Sequence, residues 1–258
     1  MQPHANLLGL LEAYRRGELT REEAASRIEG LRIEQLGEYA RLDLGRAARC
    51  GVPEVILAEG KAPAQLAEIT VRAVAAQGRC IVTRVTPDQA EEIRRRCGEE
   101  GFQAEHLEVP RAIVAFRLPV QEKTGGIVAI LTAGTADLPA AEEAKLIAEE
   151  MGCEVRTAYD VGAAGIHRLF PALKSVLDAH VFIVAAGREG TLPAVVAGLV
   201  DRPVVGLPVS SGYGYMGEGR AALASMLQSC SVLAVVNIDA GFTAGAFAAR
   251  IAAMVAGL

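Results

Sequence analysis

From residue 127 onward, five short segments of strand type (127–131, 154–158, 181–184, 204–207 and 233–238) alternate with five helical patterns (140–150, 165–178, 192–199, 218–228 and 243–256). Several of these runs are continuously apolar and do not alternate with polar residues, as befits strands covered on both faces. The pattern predicts a parallel five-stranded sheet wrapped by helices, with right-handed crossovers. In such a sheet the C-terminal ends of the strands share one edge, and ligands bind there.

That edge collects the unusual residues of the second half. After the first run come Thr132, Gly134, Thr135, Ala136 and Asp137; after the second, Asp160, Gly162, Gly165, His167 and Arg168. The third is followed by Gly187, Arg188, Glu189 and Gly190, the fourth by Ser210, Ser211, Gly212 and Tyr213, and the fifth by Asn237, Asp239 and Gly241. Five glycine-bearing polar turns on one rim suit a phosphorylated small molecule. The turn at 131–137 is a strand, a glycine and a helix start, where free backbone N–H groups favour phosphate and Asp137 is left for a sugar hydroxyl or a proton. Each residue also has a structural reading: Asp137 as a helix cap, His167 and Arg168 as caps, and Glu189 as a partner of a helix dipole.

The first half is less regular. Residues 5–16 and 21–36 read as helices, the second opened by a capping box from Thr20 to Glu23. A stretch rich in charge and turn formers (43–54) leads to a strand at 55–57 and then Gly60 and Lys61. A helix (64–76), a strand (80–83) ending at Arg84, a helix (88–98) and strands at 104–107 and 112–116 complete a small α/β unit. Arg46, Arg49, Lys61 and Arg84 are either solvated surface or phosphate ligands. Residues 118–126 read as a linker, so the expected organisation is α/β throughout: an N-terminal helical arm with a smaller α/β domain over 1–125, and a parallel-sheet domain over 126–258.

Composition removes several functional classes. A net charge of -5 opposes a nucleic-acid surface. No apolar segment reaches the length of a membrane span, and Met1-Gln2-Pro3-His4 lacks the features of a signal peptide, so a cytoplasmic location is expected. Cys50, Cys80, Cys97, Cys153 and Cys230 are scattered without paired spacing, and the four histidines form no ligand pair, which speaks against a disulfide frame or a bound zinc.

Thr132-Ala-Gly-Thr-Ala-Asp137, His167-Arg168, Ala185-Ala-Gly-Arg-Glu-Gly-Thr-Leu-Pro193 and Arg202-Pro-Val-Val-Gly-Leu-Pro208 resemble, in order and spacing, the aminoimidazole ribonucleotide carboxylase (PurE) fold. That resemblance implies a three-layer α/β/α domain in which the turn at 132–137 and the His167-Arg168 pair hold a ribose phosphate. The added N-terminal domain, Glu189 and Cys230 depart from it. Together with Asp43, Arg46, Arg49, Gly51-Val-Pro-Glu-Val-Ile56, Gly60-Lys61, Thr83-Arg84-Val85, Gly212-Tyr-Gly214, Ser229-Cys230 and Val236-Asn-Ile-Asp-Ala-Gly-Phe242, they resemble the LarB family of nickel-pincer cofactor biosynthesis.

The LarB resemblance implies carboxylation of the pyridinium ring of nicotinic acid adenine dinucleotide by CO2 or bicarbonate, with hydrolysis of the phosphoanhydride to release AMP. A pyridinium is electron-poor and cannot attack CO2 unaided, so a nucleophile must first add to it; Cys230 is assigned that thiolate. Glu189 is the expected base or CO2-positioning carboxylate and His167 the alternative; Thr132, Gly134, Thr135, Ala136, Asp137, Arg168, Gly187 and Gly190 are the expected substrate contacts. No tightly bound cofactor is expected, although Asp137, Asp160 or Asp239 could hold Mg²⁺ against the pyrophosphate. The other four cysteines read as packing residues. Cys230 precedes its strand and Glu189 follows one, so the two fall on opposite edges of the sheet, and the homo-octamer that the resemblance implies would share each site between protomers. Two other readings stay open: an aminoimidazole ribonucleotide carboxylase or mutase, with no use for Cys230, and a catalytically silent nucleotide-binding protein.

Overall fold

The computed structural model describes residues 7–36, 40–117 and 123–257. The N-terminal tetrapeptide, the expected helix start at 5–6 and positions 118–122 of the expected linker lie outside them. The chain forms two compact units: the first runs through His106 and resumes at Ile113, and the second begins after position 119 and also takes the short segment Leu107–Ala112. Among the described residues, no helix is long and apolar enough to cross a membrane.

The first unit opens with α1 (Leu7–Arg15) and α2 (Arg21–Glu29). At the start of α2, Thr20 and Glu23 cap each other's backbone N–H as the spacing predicts. The helix expected to continue to 36 stops at Gly30, and β1 (Glu34–Leu36) pairs antiparallel with β2 (Ala40–Leu42). The chain later folds back onto this helix end, where a Cβ on Gly45 would lie 2.4 Å from the Gly30 carbonyl. The charged stretch that follows contains a short helix, α3 (Arg46–Cys50), closed by Gly51 in the left-handed region. Next come β3 (Val55–Leu57), α4 (Pro63–Gln77), β4 (Arg79–Thr83), α5 (Pro87–Glu99), β5 (Gln103–Leu107) and β6 (Ala112–Phe116). The sheet order is β3-β4-β6-β5, with β3 and β4 parallel and β6 antiparallel to β4. Leu66, Val74, Ile93 and Ile113 are fully buried at its core.

The second unit has the predicted alternation. It runs β7 (Ile127–Thr132), a 3-10 turn at Thr135–Asp137, α6 (Leu138–Glu150), β8 (Glu154–Ala158), 3-10 turns over Ala163–Arg168, α7 (Leu169–Lys174), β9 (Val181–Ala186), α8 (Thr191–Ala197), β10 (Val204–Pro208), α9 (Arg220–Leu227), β11 (Ala234–Val235) and α10 (Gly241–Ala256). All five strands are parallel, in the order β11-β10-β9-β7-β8. Alternate residues serve opposite faces. Val128, Ile130 and Ile183 pack toward α6 and α10, while Ala129, Leu131, Phe182 and Val184 pack toward α7 and α8. Burying each of the larger side chains stabilises the fold by about 1.5–3 kcal/mol. The face under α6 and α10 is built from alanines and glycines so tightly that a Cβ on Gly245 would lie 2.4 Å from the Ala144 carbonyl oxygen, and one on Gly241 2.5 Å from that of Ala140.

One helix and one strand are markedly shorter than the sequence pattern predicts. Gly165 adopts a non-helical φ of -123° and ψ of 54°, which leaves only 3-10 turns before Leu169. β11 keeps two of its six expected residues, since the chain turns away into Asp239, left-handed at φ 55°. The topology itself positions the site. From β7 the chain crosses to β8 on one side, then returns to β9 on the other, so connections diverge at the C-terminal ends of β7 and β9 and leave a crevice.

Candidate active site

A cavity of about 250 Å³ occupies that crevice. The turns after β7, β8, β9 and β10 all reach it, at Gly134, Gly162, Glu189 and Ser211 respectively. Its floor is set by glycines. A Cβ on Gly187 would lie 2.1 Å from Ser211 Oγ and 3.0 Å from Asp137 Oδ1, and one on Gly162 would lie 2.5 Å from the Ala133 carbonyl oxygen. Gly190 is left-handed at φ 68°, and a Cβ there would lie 2.6 Å from the Ala222 carbonyl oxygen. The turns around the cavity are thus packed backbone to backbone, and a side chain at any of these glycines would push them apart.

Asp137 is the buried acid of the site, 4% exposed. Its carboxylate turns back from α6: Oδ2 accepts the Gly134 N–H at 2.9 Å and Oδ1 accepts the Ser211 hydroxyl at 2.7 Å. It therefore joins the turns after β7 and β10, and makes no hydrogen bond to cap α6. Burial pushes its pKa above the ordinary carboxylate value, opposed by hydrogen bonds from Ser211 and the backbones of Gly134 and Gly187. Glu189 also lines the cavity and is exposed to solvent.

Of the residues expected to bind substrate, Gly134, Ala136, Asp137, Gly187 and Gly190 line the cavity. Thr132 does not: it is fully buried, and its hydroxyl accepts the Asp160 N–H at 3.1 Å, so it holds the next turn from below. Thr135 is exposed beside the cavity without lining it. The His167-Arg168 pair is not brought to the cavity within this chain. His167 is exposed on the 3-10 turns, and the Arg168 guanidinium is held by Asp160 Oδ2 at 2.6 Å. Missing from the expected contacts were Arg188, Ser211 and Tyr213, although all lie in rim turns noted in the sequence; the link of Ser211 to Asp137 spans 74 positions, which no local pattern displays.

Nor do the carboxylates proposed for Mg²⁺ form a metal centre. Both Asp137 oxygens accept from hydrogen-bond donors, Asp160 is paired with Arg168, and Asp239 Oδ1 accepts the Ser210 N–H at 2.9 Å. Among the described residues, no group of three or more His, Cys, Asp or Glu side chains is arranged to hold a metal ion. A metal held by these aspartates does not fit.

Cys230 lies on the connection from α9 to β11, exposed and outside the cavity lining. Since β11 runs parallel to β10, this thiol enters from the N-terminal edge, while Asp137 and Glu189 follow strands. The adjacent Ser231 anchors the loop by donating to the Ala194 carbonyl of α8 at 2.9 Å. Large apolar neighbours stay open to solvent, Leu227 at 65% and Val232 at 93%. Cys153, the other thiol of this unit, is buried.

In the first unit the four basic residues divide into two pairs. Arg46 and Arg49 stand near the start of β3, where Arg46 meets Glu54 at 3.3 Å and Arg49 binds Asp43 and the Gly30 carbonyl. Lys61 and Arg84 follow the ends of β3 and β4, Arg84 beside Glu59 at 3.5 Å. The parallel strands separate the pairs, so a single phosphate cannot engage all four.

The second unit matches the AIR carboxylase family over residues 127–257, and residues 33–117 match the LarB/PurE-like N-terminal domain. An uncharacterized protein of Methanocaldococcus jannaschii is 42% identical over 252 residues, 96% of this chain and 97% of its own. An N5-carboxyaminoimidazole ribonucleotide mutase of the same organism is 33% identical over 133 residues, 50% of this chain and 80% of its own. A probable N5-carboxyaminoimidazole ribonucleotide mutase of Methanothermobacter thermautotrophicus is 32% identical over 130 residues, 48% of this chain and 37% of its own.

Proposed function

Because the chain belongs to the LarB family, joining a LarB/PurE-like N-terminal domain to a carboxylase- or mutase-type AIR carboxylase domain, we propose that it carboxylates C5 of the pyridinium ring of nicotinic acid adenine dinucleotide and hydrolyses the phosphoanhydride. The observation that carries this reading is Cys230: it is the exposed thiol of the second unit, and an imidazole ribonucleotide, already an enamine, has no use for one. The Cys230 thiolate adds to the ring and gives a neutral, enamine-like dihydropyridine. Its C5 then forms a carbon–carbon bond to CO2, a base takes the C5 proton, and the C–S bond breaks as aromaticity returns. Glu189 is favoured over His167 as that base because it lines the cavity. Water then cleaves the phosphoanhydride and releases AMP. Any Mg²⁺ in that step belongs to the pyrophosphate of the substrate and needs no ligand from Asp137.

Cys230 and Glu189 belong to opposite edges of one sheet, so the proposal includes a homo-oligomer, an octamer by family resemblance, in which one copy brings its thiol to the cavity of another. The exposed Leu227 and Val232 beside Cys230 support burial of that loop against a second copy. The test is incubation with nicotinic acid adenine dinucleotide and labelled bicarbonate. AMP and a labelled dicarboxylated mononucleotide are expected; turnover of aminoimidazole ribonucleotide or of its N5-carboxy form in their place would assign the chain to imidazole carboxylase or mutase chemistry.

A further inference from the structure

Among the residues lining the cavity, Arg188 is the one cation; the charged groups beside it are the carboxylates of Asp137 and Glu189. Its partner is neutral. The guanidinium lies over the Tyr213 ring, Cζ 4.3 Å from the centroid, and donates to the phenol oxygen. Arg168 differs in having its charge countered by Asp160. A guanidinium parked on a phenol keeps its full charge for a ligand, and charge-assisted bonds to phosphate are roughly twice as strong as neutral ones. Tyr213 is also easy to displace, being 72% exposed on a connection that carries Gly212, Gly214 (φ 101°), Gly217 and Gly219 (φ 75°).

The ring offers a second argument. An aromatic face that holds one cation can hold another, and a pyridinium is a flat cation of suitable size. We propose that Arg188 is the phosphate anchor of the cavity and that Tyr213 is its exchange partner: on binding, the guanidinium moves from the phenol to the nucleotide phosphate, and the pyridinium takes its place on the Tyr213 face. This rests on the functional reading above and adds a source of specificity, since a neutral imidazole gains less from that face.

The experiment is a binding titration of wild type, Arg188→Gln, Arg188→Lys, Tyr213→Leu and Arg168→Gln with nicotinic acid mononucleotide and with the riboside that lacks its phosphate. Wild type should prefer the mononucleotide about ten- to a hundredfold, the range for bonds to a charged group. Arg188→Gln should lose most of that preference and Arg188→Lys part of it, while Tyr213→Leu should weaken both ligands and leave the preference in place. Both side chains are exposed, so unchanged melting temperatures should accompany these effects. A preference kept in Arg188→Gln, or lost in Arg168→Gln instead, overturns the anchor while leaving the functional reading intact. Should wild type bind neither ligand, the functional reading falls and the anchor falls with it.

Discussion

Gly187 and Gly212 meet so closely at the base of the cavity that a Cβ on Gly212 would lie 1.9 Å from the Gly187 carbonyl oxygen. The contact is backbone on backbone, so no side chain can swing aside to relieve an added methyl. Gly212→Ala must push apart the turns after β9 and β10. We expect a loss of about 1–3 kcal/mol, seen as a melting temperature lower by several degrees, together with loss of nucleotide binding. An alanine variant with parental melting and parental affinity would show that these turns do not shape the site.

Asp137 gives a pH dependence whose sign follows from its environment. Burial raises its pKa above the ordinary 3.8, against hydrogen bonds from Ser211, Gly134 and Gly187. The folded protein therefore holds the Asp137 proton more tightly than the unfolded chain. The stability this contributes is complete below the unfolded value and is lost as pH rises through the folded one. Asparagine does not titrate, so denaturant melts of wild type and Asp137→Asn should give a stability difference that moves steadily against wild type from about pH 4 upward. A difference that stays level, or moves the other way, would contradict the assignment.

The thiols should separate by environment. Burial raises Cys80, and it raises Cys97 to about 11 against the opposing charge of Arg96. Burial also raises Cys153, opposed by Thr124. Cys50, expected as a packing residue, is exposed instead, so iodoacetamide at mildly alkaline pH should leave the three buried thiols unmodified until the protein unfolds and should modify Cys50 and Cys230 in the native protein, with bound dinucleotide protecting Cys230 alone. Cys230→Ser exchanges one atom of a side chain that the subunit's own fold leaves exposed, so the fold of each subunit should hold, while incorporation of labelled bicarbonate falls by about a thousandfold or more. Parental turnover by the folded serine variant would remove the thiol from the mechanism.

Sharing of the site between copies predicts complementation. Cys230→Ala and Glu189→Gln subunits should each be inactive alone, and co-assembled oligomers should regain a fraction of wild-type activity, because some interfaces then pair an intact thiol with an intact carboxylate. Mixing confirmed by mass spectrometry with no recovered turnover would place both groups in one protomer.

The layout of the second unit could be read from the chain because its strands are continuous apolar runs: all six residues of β9 are buried. The rim followed from topology, which brings every strand end to one edge. What local pattern could not show were contacts between distant turns. The hold of Ser211 on Asp137 is one, and the parking of Arg188 on Tyr213 is another. Single glycines also cut helices short: Gly30 ends the one expected to run to 36, and Gly165 replaces the start of another with 3-10 turns. The ligand role of the His167-Arg168 pair came from family pattern, and in this chain the arginine is paired with Asp160.

The seam between α6 and α10 leaves no clearance for even a methyl group at Gly241 or Gly245. Neither helix can roll against its neighbour without collision, so that side of the sheet acts as a fixed anvil. Any closing movement on ligand entry must then fall to connections away from that seam, those after β8, β9 and β10, and hydrogen exchange that slows there while staying constant along α6 and α10 would be its signature.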